Sequence, residues 1–328
     1  MKTNNLPPNI PKITADVKKQ SRDEPFYYTT SFYKGYLDTQ IFVRIWKQVE
    51  EARGIVLVAH SIGEHSLMYD EFALNLNKQG YIVVVPDLRA HGKTAGEVAN
   101  CGKYSGDFFQ DSVLDLIKFA DWLFKRFDLP LAIMGVGFGT FLAQSFAQNY
   151  HRHQALILVG GGYYQTTRVS RASIAAKLTK VFKGEQAPAN RVRKLTYGWF
   201  EDNFPDKNFR THDKKIYERN LLDPYYGHMP SAKVCQSLAD GMLKTFSGPN
   251  MSKMDRYIPI LIENGQNDTI DTASPTNIEK LIEQYKYLGF QNVETKIWEY
   301  GRHDILQETF RKKVFAHIVE FLKKNLSL

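Results

Sequence analysis

Short, uninterrupted apolar runs separated by segments of helical periodicity constrain this chain more than any other feature. Gly54–Ala59 (GIVLVA), Tyr81–Pro86 (YIVVVP), Leu131–Gly135 (LAIMG), Ala155–Val159 (ALILV) and Tyr257–Glu263 (YIPILIE) lack the apolar–polar alternation of a strand with one wet face. Such runs are stable as strands only where both faces of a sheet are covered, as in a parallel sheet flanked by helices. Met68–Gln79, Ser112–Phe127, Thr140–Tyr150, Thr276–Tyr287 and Ile305–Leu326 carry apolar residues at helical spacing, and Val293–Trp298 reads as a further strand. Ahead of them, Thr29–Tyr36 and Gln40–Trp46 alternate around Leu37–Thr39 and read as a hairpin. The expected fold class is α/β, with a mostly parallel, doubly wound sheet.

The alternation stops after Gly160–Gly162 and resumes at Tyr257. The stretch between is helical and basic, broken by Gly184, Pro188, Pro205, Pro224 and Pro230. The division expected is a flexible arm over residues 1–24, a core of 25–162 and 256–328, and a helical cap inserted over 163–255. A length of 328 residues suits one such core, and 43% apolar residues suffice to fill it.

Charge is concentrated in the insertion. Residues 163–220 carry 13 Lys or Arg against 6 Asp or Glu, most of the net +8. A basic surface suits an anionic membrane or an acidic ligand. With no RRM, KH, helix-turn-helix or zinc-finger pattern, nucleic acid is not an expected partner. Cys101 and Cys235 are far apart and lack metal-ligand spacing, which fits free thiols in a reducing cytoplasm. Neither a signal peptide nor a transmembrane run of roughly 18 residues is visible, so the expectation is a cytoplasmic protein with a peripheral membrane contact at most. No motif calls for a metal or a cofactor.

The chemistry concentrates where Leu131–Gly135 meets the next helix, at Gly135-Val136-Gly137-Phe138-Gly139. A serine at the third position would complete the G-x-S-x-G elbow, which lifts a nucleophile above a sheet on a sharp strand-to-helix turn. Here the elbow lacks only the hydroxyl. A phosphate loop fits poorly, because neither G-x-x-x-x-G-K-[ST] nor an acidic residue at dinucleotide-binding distance is present. Four further segments stand in order, His60-Ser61-Ile62-Gly63-Glu64-His65 and Asp87-Leu88-Arg89-Ala90-His91-Gly92-Lys93 ahead of the elbow, and Asn264-Gly265-Gln266-Asn267-Asp268 and Tyr300-Gly301-Arg302-His303-Asp304 after it. An elbow followed by an acid and then a histidine is the chain order of α/β-hydrolases.

On these motifs the chain resembles bacterial monoacylglycerol-lipase and lysophospholipase-like α/β-hydrolases of the serine aminopeptidase S33 type, with a helical cap. The family writes HGxGEHSxRY, DxRGHGxS, GHSMGG, GxxD and GGxHE where this chain has HSIGEHSLMY, DLRAHGKT, GVGFGT, GQND and YGRHD. The resemblance runs from about residue 26 to the C-terminus. It implies Asp268 as the triad acid, His303 as the general base, and the Ile62 and Phe138 N–H groups as oxyanion-hole donors. Asp271 is a second candidate for the acid. The nucleophile maps onto Gly137, and Val136, Ser61 and Ala90 stand where the family has histidine, glycine and glycine.

Glycine keeps the turn without strain but forms no acyl-enzyme, and losing the nucleophile of a serine triad lowers kcat on the order of 10⁶-fold. Ser61, on the loop facing the elbow, is the candidate substitute nucleophile, although a polar loop residue bonding its local backbone is the favoured reading. A water activated by His303 would give slow hydrolysis. Cys101 reads as structural, and His60, His65, Asp87, Arg89 and His91 read as loop braces. His151 and His153 read as exposed residues after a helix. Within the cap, Ile174, Leu178, Val181 and Phe182 share one face of Arg171–Lys183, expected to cover the site; resting on an anionic membrane is the alternative. The expected function is a fatty-acyl ester hydrolase homologue with lost or very weak activity that binds a lipid or hydrophobic ester. The alternatives are a working esterase using Ser61 or water, and a scaffold binding a partner or membrane through the basic cap.

Overall fold

The computed structural model describes residues 27–161, 166–193, 204, 206, 208–268 and 277–326. Eight strands form one sheet: β1 (Thr29–Lys34), β2 (Gln40–Trp46), β3 (Gly54–Ala59), β4 (Tyr81–Pro86), β5 (Leu131–Val136), β6 (Ala155–Val159), β7 (Ile260–Gly265) and β8 (Val293–Trp298). Their spatial order is β1-β2-β4-β3-β5-β6-β7-β8. β1 and β2 form the expected antiparallel hairpin, with Thr29 opposite Ile45 and Lys34 opposite Gln40. β2 also pairs antiparallel with β4, and every other neighbour is parallel.

The apolar runs are explained by burial on two sides. Along β3, Ile55, Leu57 and Ala59 pack on one face, while Val56 and Val58 pack on the other. The first face is covered by α2 (Phe108–Phe127) and α3 (Gly139–Asn149). The second is covered by α1 (Asp70–Asn77) together with the last helix of the chain. α2 starts four residues before its apolar periodicity suggests, because the Asp107 carboxylate caps it by accepting from Gln110 N.

Between β6 and β7 the chain leaves the sheet. The described helices there are α4 (Thr166–Lys183), α5 (Asn190–Arg193), α6 (Lys214–Leu221), α7 (Ala232–Thr245) and α8 (Gly248–Met251). The sheet resumes with β7, then α9 (Asn277–Tyr287), β8 and α10 (Arg311–Asn325). The single helix expected over Ile305–Leu326 is broken: a short 3-10 turn at Ile305–Gln307 precedes α10. The break holds buried Glu308, whose carboxylate accepts from Arg302 N and from His212 N.

The faces of α4 are the reverse of the expected ones. Ile174, Leu178, Val181 and Phe182 are 57, 46, 73 and 78% exposed, so this apolar stripe faces outward. The buried side is Val169, Ala172, Ser173, Ala176 and Thr179. Small side chains let α4 lie close against α7, where Ala172 and Ala176 cluster with Cys235, and Ser173 Oγ donates to Asp240 at 2.8 Å. Helical periodicity identified the apolar stripe, but close packing selected the small one. Among the described residues, no helix is long and apolar enough to cross a membrane.

Candidate active site

Only two residues separate β5 from α3. Gly137 takes up the reversal with φ +53°, a left-handed backbone that costs an ordinary side chain about 1–2 kcal/mol. Its N–H donates to Val159 O at 2.8 Å, and its carbonyl accepts from Thr140 Oγ1 at 2.6 Å. At Gly139 the requirement is closeness: a Cβ there would collide with the Ala59 carbonyl oxygen on neighbouring β3. The elbow is thus fully formed without a side chain at its apex.

His303 and Asp268 meet beside that apex. Asp268 follows β7 and His303 follows β8; the two loops are joined by Asn267 N donating to Gly301 O at 2.7 Å. His303 Nδ1 lies 2.9 Å from Asp268 Oδ2, both side chains buried. Nε2 is left facing the elbow, 3.3 Å from the point where a Cβ on residue 137 would stand. Burial alone would lower the imidazole pKa, but the Asp268 carboxylate, assisted by Asp304, outweighs it and holds His303 above its ordinary value. An imidazole held on its far nitrogen by a carboxylate can take a proton from a group above Gly137 and return it. Asp271 lies outside the described residues.

The loop after β3 reaches the same point. Ser61 Oγ accepts from Phe138 N at 3.2 Å, so the side chain is not engaged with its own loop, as a local hydrogen bond would require. A Cβ on residue 137 would stand 2.9 Å from Ser61 Cβ and closer still to Ser61 Oγ. The Ser61 backbone is pinned on both sides. Its N–H donates to Glu64 Oε2 at 3.2 Å, and its carbonyl accepts from His60 Nδ1 at 2.7 Å and Glu64 N at 3.2 Å. His60 Nε2 accepts from Leu88 N at 2.9 Å, which makes the imidazole a neutral Nδ1–H donor; burial pushes its pKa down to about 3. Among the described residues, the Ile62 N–H beside Ser61 donates to no acceptor.

A buried charge cluster that the motifs did not predict lies behind the histidine. Arg210, between β6 and α6, places Nη1 3.1 Å from Asp304 Oδ2 and 3.5 Å from Glu64 Oε1. Backbone bonds run alongside, with His303 N donating to Phe209 O at 3.2 Å and Asp304 N to Arg210 O at 2.8 Å. The inserted segment therefore holds the histidine loop and, through Glu64, the Ser61 loop. Burial, with Asp304 adding to it, pushes the Glu64 carboxyl up to about 6 against the pull of Arg210. Tyr69 OH donates to Glu64 Oε2 at 2.6 Å. Only the acid in Gly63-Glu64-His65 hinted at this cluster; nothing local singles out Arg210.

The remaining motif residues brace loops. Asp87 accepts from Ser66 N and Lys93 N, each at 2.7 Å, and Arg89 holds Asp115 at 2.6 Å. His153 departs from the expected exposure: it is buried against Phe146, ring centroids 5.6 Å apart, and burial lowers its pKa to about 4. Cys101 and Cys235 are free and buried. Among the described residues, no group of three His, Cys, Asp or Glu is placed to hold a metal ion.

The strand order, the glycine elbow between β5 and α3, and the acid and histidine on the loops after β7 and β8 define an α/β-hydrolase fold. Within that class, the chain belongs to the family described as serine aminopeptidase, S33, whose model matches residues 50–310. The monoglyceride lipase homolog of Monkeypox virus is 26% identical over 287 residues, 85% of this chain and 92% of that protein. The monoacylglycerol lipase of Mycolicibacterium smegmatis is 21% identical over 301 residues, 90% and 96% of the two chains. Among solved structures, a thermostable carboxyl esterase from Bacillus coagulans in complex with glycerol superimposes with a TM-score of 0.81 at 21% identity, covering 92% of this chain and 99% of that one.

Proposed function

We propose that this protein binds fatty-acyl esters of the monoacylglycerol or lysophospholipid type, with the ester held over Gly137. Asp268 orients His303 as the potential base, and the Ile62 and Phe138 N–H groups face the ester carbonyl oxygen. Residue 137 supplies no nucleophile, so acyl transfer at the elbow apex is lost. The observation that carries this reading is the Nδ1–Asp268 contact of 2.9 Å, which leaves Nε2 facing the elbow at Gly137. The lipase relatives supply the acyl-ester substrate class. The test is calorimetric titration with an ether analogue of a monoacylglycerol, which cannot be hydrolysed. Saturable binding, competed by a free fatty acid, is the expected outcome, and absence of heat up to the solubility limit contradicts the proposal.

A second contact is favoured by α4. Its apolar stripe is solvent-exposed and is flanked by exposed Arg171, Lys177 and Lys183, the composition of a helix that lies in a lipid headgroup layer. We propose that this face rests on an anionic membrane from which the acyl ester is drawn. Sedimentation with phosphatidylglycerol-containing vesicles, but not with neutral ones, is the expected result; equal recovery with both overturns it.

A further inference from the structure

The space above Gly137 is not vacant: it is occupied from the other side. The Cβ–Oγ arm that the elbow lacks at residue 137 is present at residue 61, and the two positions compete for one volume. A Cβ on residue 137 would stand 2.9 Å from Ser61 Cβ, a separation that real side chains do not adopt. In this chain the apex is glycine and position 61 carries the side chain. The family pattern is the opposite, with serine at the apex and glycine at the position of Ser61.

Resting on the acyl-ester reading above, we infer that Ser61 Oγ is the nucleophile of this protein, with Gly137 reduced to the space-giving residue beneath it. Three observations carry the inference. Ser61 Oγ and His303 Nε2 both lie within 3.3 Å of the same point above Gly137. The Phe138 N–H already donates to Oγ at 3.2 Å, a contact that favours negative charge building on that oxygen. The Ser61 backbone is held at both N–H and carbonyl by Glu64 and His60, so the side chain projects from a fixed loop rather than a loose one. No hydrogen bond joins Oγ to Nε2 in the structure. A nucleophile–base contact of this kind commonly tightens only when substrate closes the site.

The reaction balances with these groups alone. Oγ forms a bond to the ester carbonyl carbon as its proton passes to His303 Nε2, and the carbonyl π pair moves to the oxygen facing the Ile62 N–H. Collapse restores the C=O bond and breaks the bond to the alcohol oxygen, which takes the proton from Nε2. Water then repeats the two steps on the Ser61 ester, releasing the fatty acid and regenerating the hydroxyl.

The test is a fluorophosphonate probe on the full-length protein, with the adduct located by peptide mass spectrometry, alongside hydrolysis of p-nitrophenyl butyrate. One adduct per chain on Ser61 is expected. Ser61→Ala should remove it and lower hydrolysis by at least about 10³-fold, while thermal unfolding shows the variant folded. An unlabelled wild type, or an adduct on another residue, overturns the inference. The exchanged variant Ser61→Gly/Gly137→Ser separates the two levels of the argument. If it is labelled at residue 137 and active while the wild type is inert, only the nucleophilic role of Ser61 fails. If both proteins are inert, the acyl-ester reading fails with it.

Discussion

The two halves of the site are built differently. On one side, the loops after β7 and β8 bring Asp268 and His303 together at 2.9 Å, with Nε2 facing the elbow. On the other, the loop after β3 and the turn after β5 meet at one point, with Ser61 Oγ lying over Gly137 and accepting from Phe138 N. The acid–base half depends on one contact between two loop ends. The nucleophile half depends on a small volume that two loops share, so a change in one loop obliges a change in the other. The apex makes its left-handed turn without a side chain, and Gly139 packs closely against the Ala59 carbonyl.

The largest effect should come from the acid–base half. In the exchanged variant Ser61→Gly/Gly137→Ser, adding Asp268→Asn leaves the imidazole in the wrong tautomer and should lower kcat on the order of 10⁴-fold, measured by p-nitrophenyl ester hydrolysis. A loss below tenfold would separate Asp268 from the chemistry. The same half predicts a pH profile. The base must be neutral, and Asp268 and Asp304 raise the His303 pKa above 6.5, so kcat/KM should fall as pH drops, with a midpoint above 6.5. A midpoint below 6.5 would mean that burial outweighs the two carboxylates.

Smaller effects concern stability. Gly139→Ala drives a methyl group into the Ala59 carbonyl and should destabilise by about 1–3 kcal/mol in urea unfolding, with the elbow strand displaced. Acid should destabilise the protein through its buried neutral histidines. His60 and His91 titrate at about 3 and His153 at about 4 when folded, against 6.5 when unfolded. The unfolded chain therefore binds protons first. Stability is full above pH 6.5 and declines from there down to about pH 3, visible as a falling Tm. The smallest change belongs to α4: Phe182→Ser should shift stability by no more than about 0.5 kcal/mol, since the residue is 78% exposed, yet weaken vesicle binding.

Much of the fold is legible in the sequence because continuous apolar runs have few stable solutions: β3, β4 and β6 match their runs end to end. β5 extends one residue further, to Val136, because pairing with Val159 and not hydropathy sets its end. The acid, the histidine and the glycine apex are local motifs and could be read. The direction of Ser61 could not, because its side chain crosses from one strand's loop to another's and its partner is 77 positions away. Arg210 is hidden for the same reason, 94 positions from Asp304. On α4, periodicity locates an apolar stripe but says nothing of which neighbour packs closely, and Ala172 and Ala176 were buried in its place. His153 follows a helix, where exposure is the ordinary outcome, but Phe146, seven residues earlier in that helix, offers it a ring to pack on.

The claim most exposed to test is that residues 61 and 137 share one volume. Gly137→Ser alone places a side chain against Ser61, whereas Ser61→Gly/Gly137→Ser gives it the space and leaves His303 in position. Steady-state hydrolysis of p-nitrophenyl butyrate by the two variants should differ by on the order of 10²-fold in kcat in favour of the pair, the penalty typical of a misplacement near 1 Å. Equal rates would mean that the two side chains never meet above the elbow, and the reciprocal account of this site would be wrong.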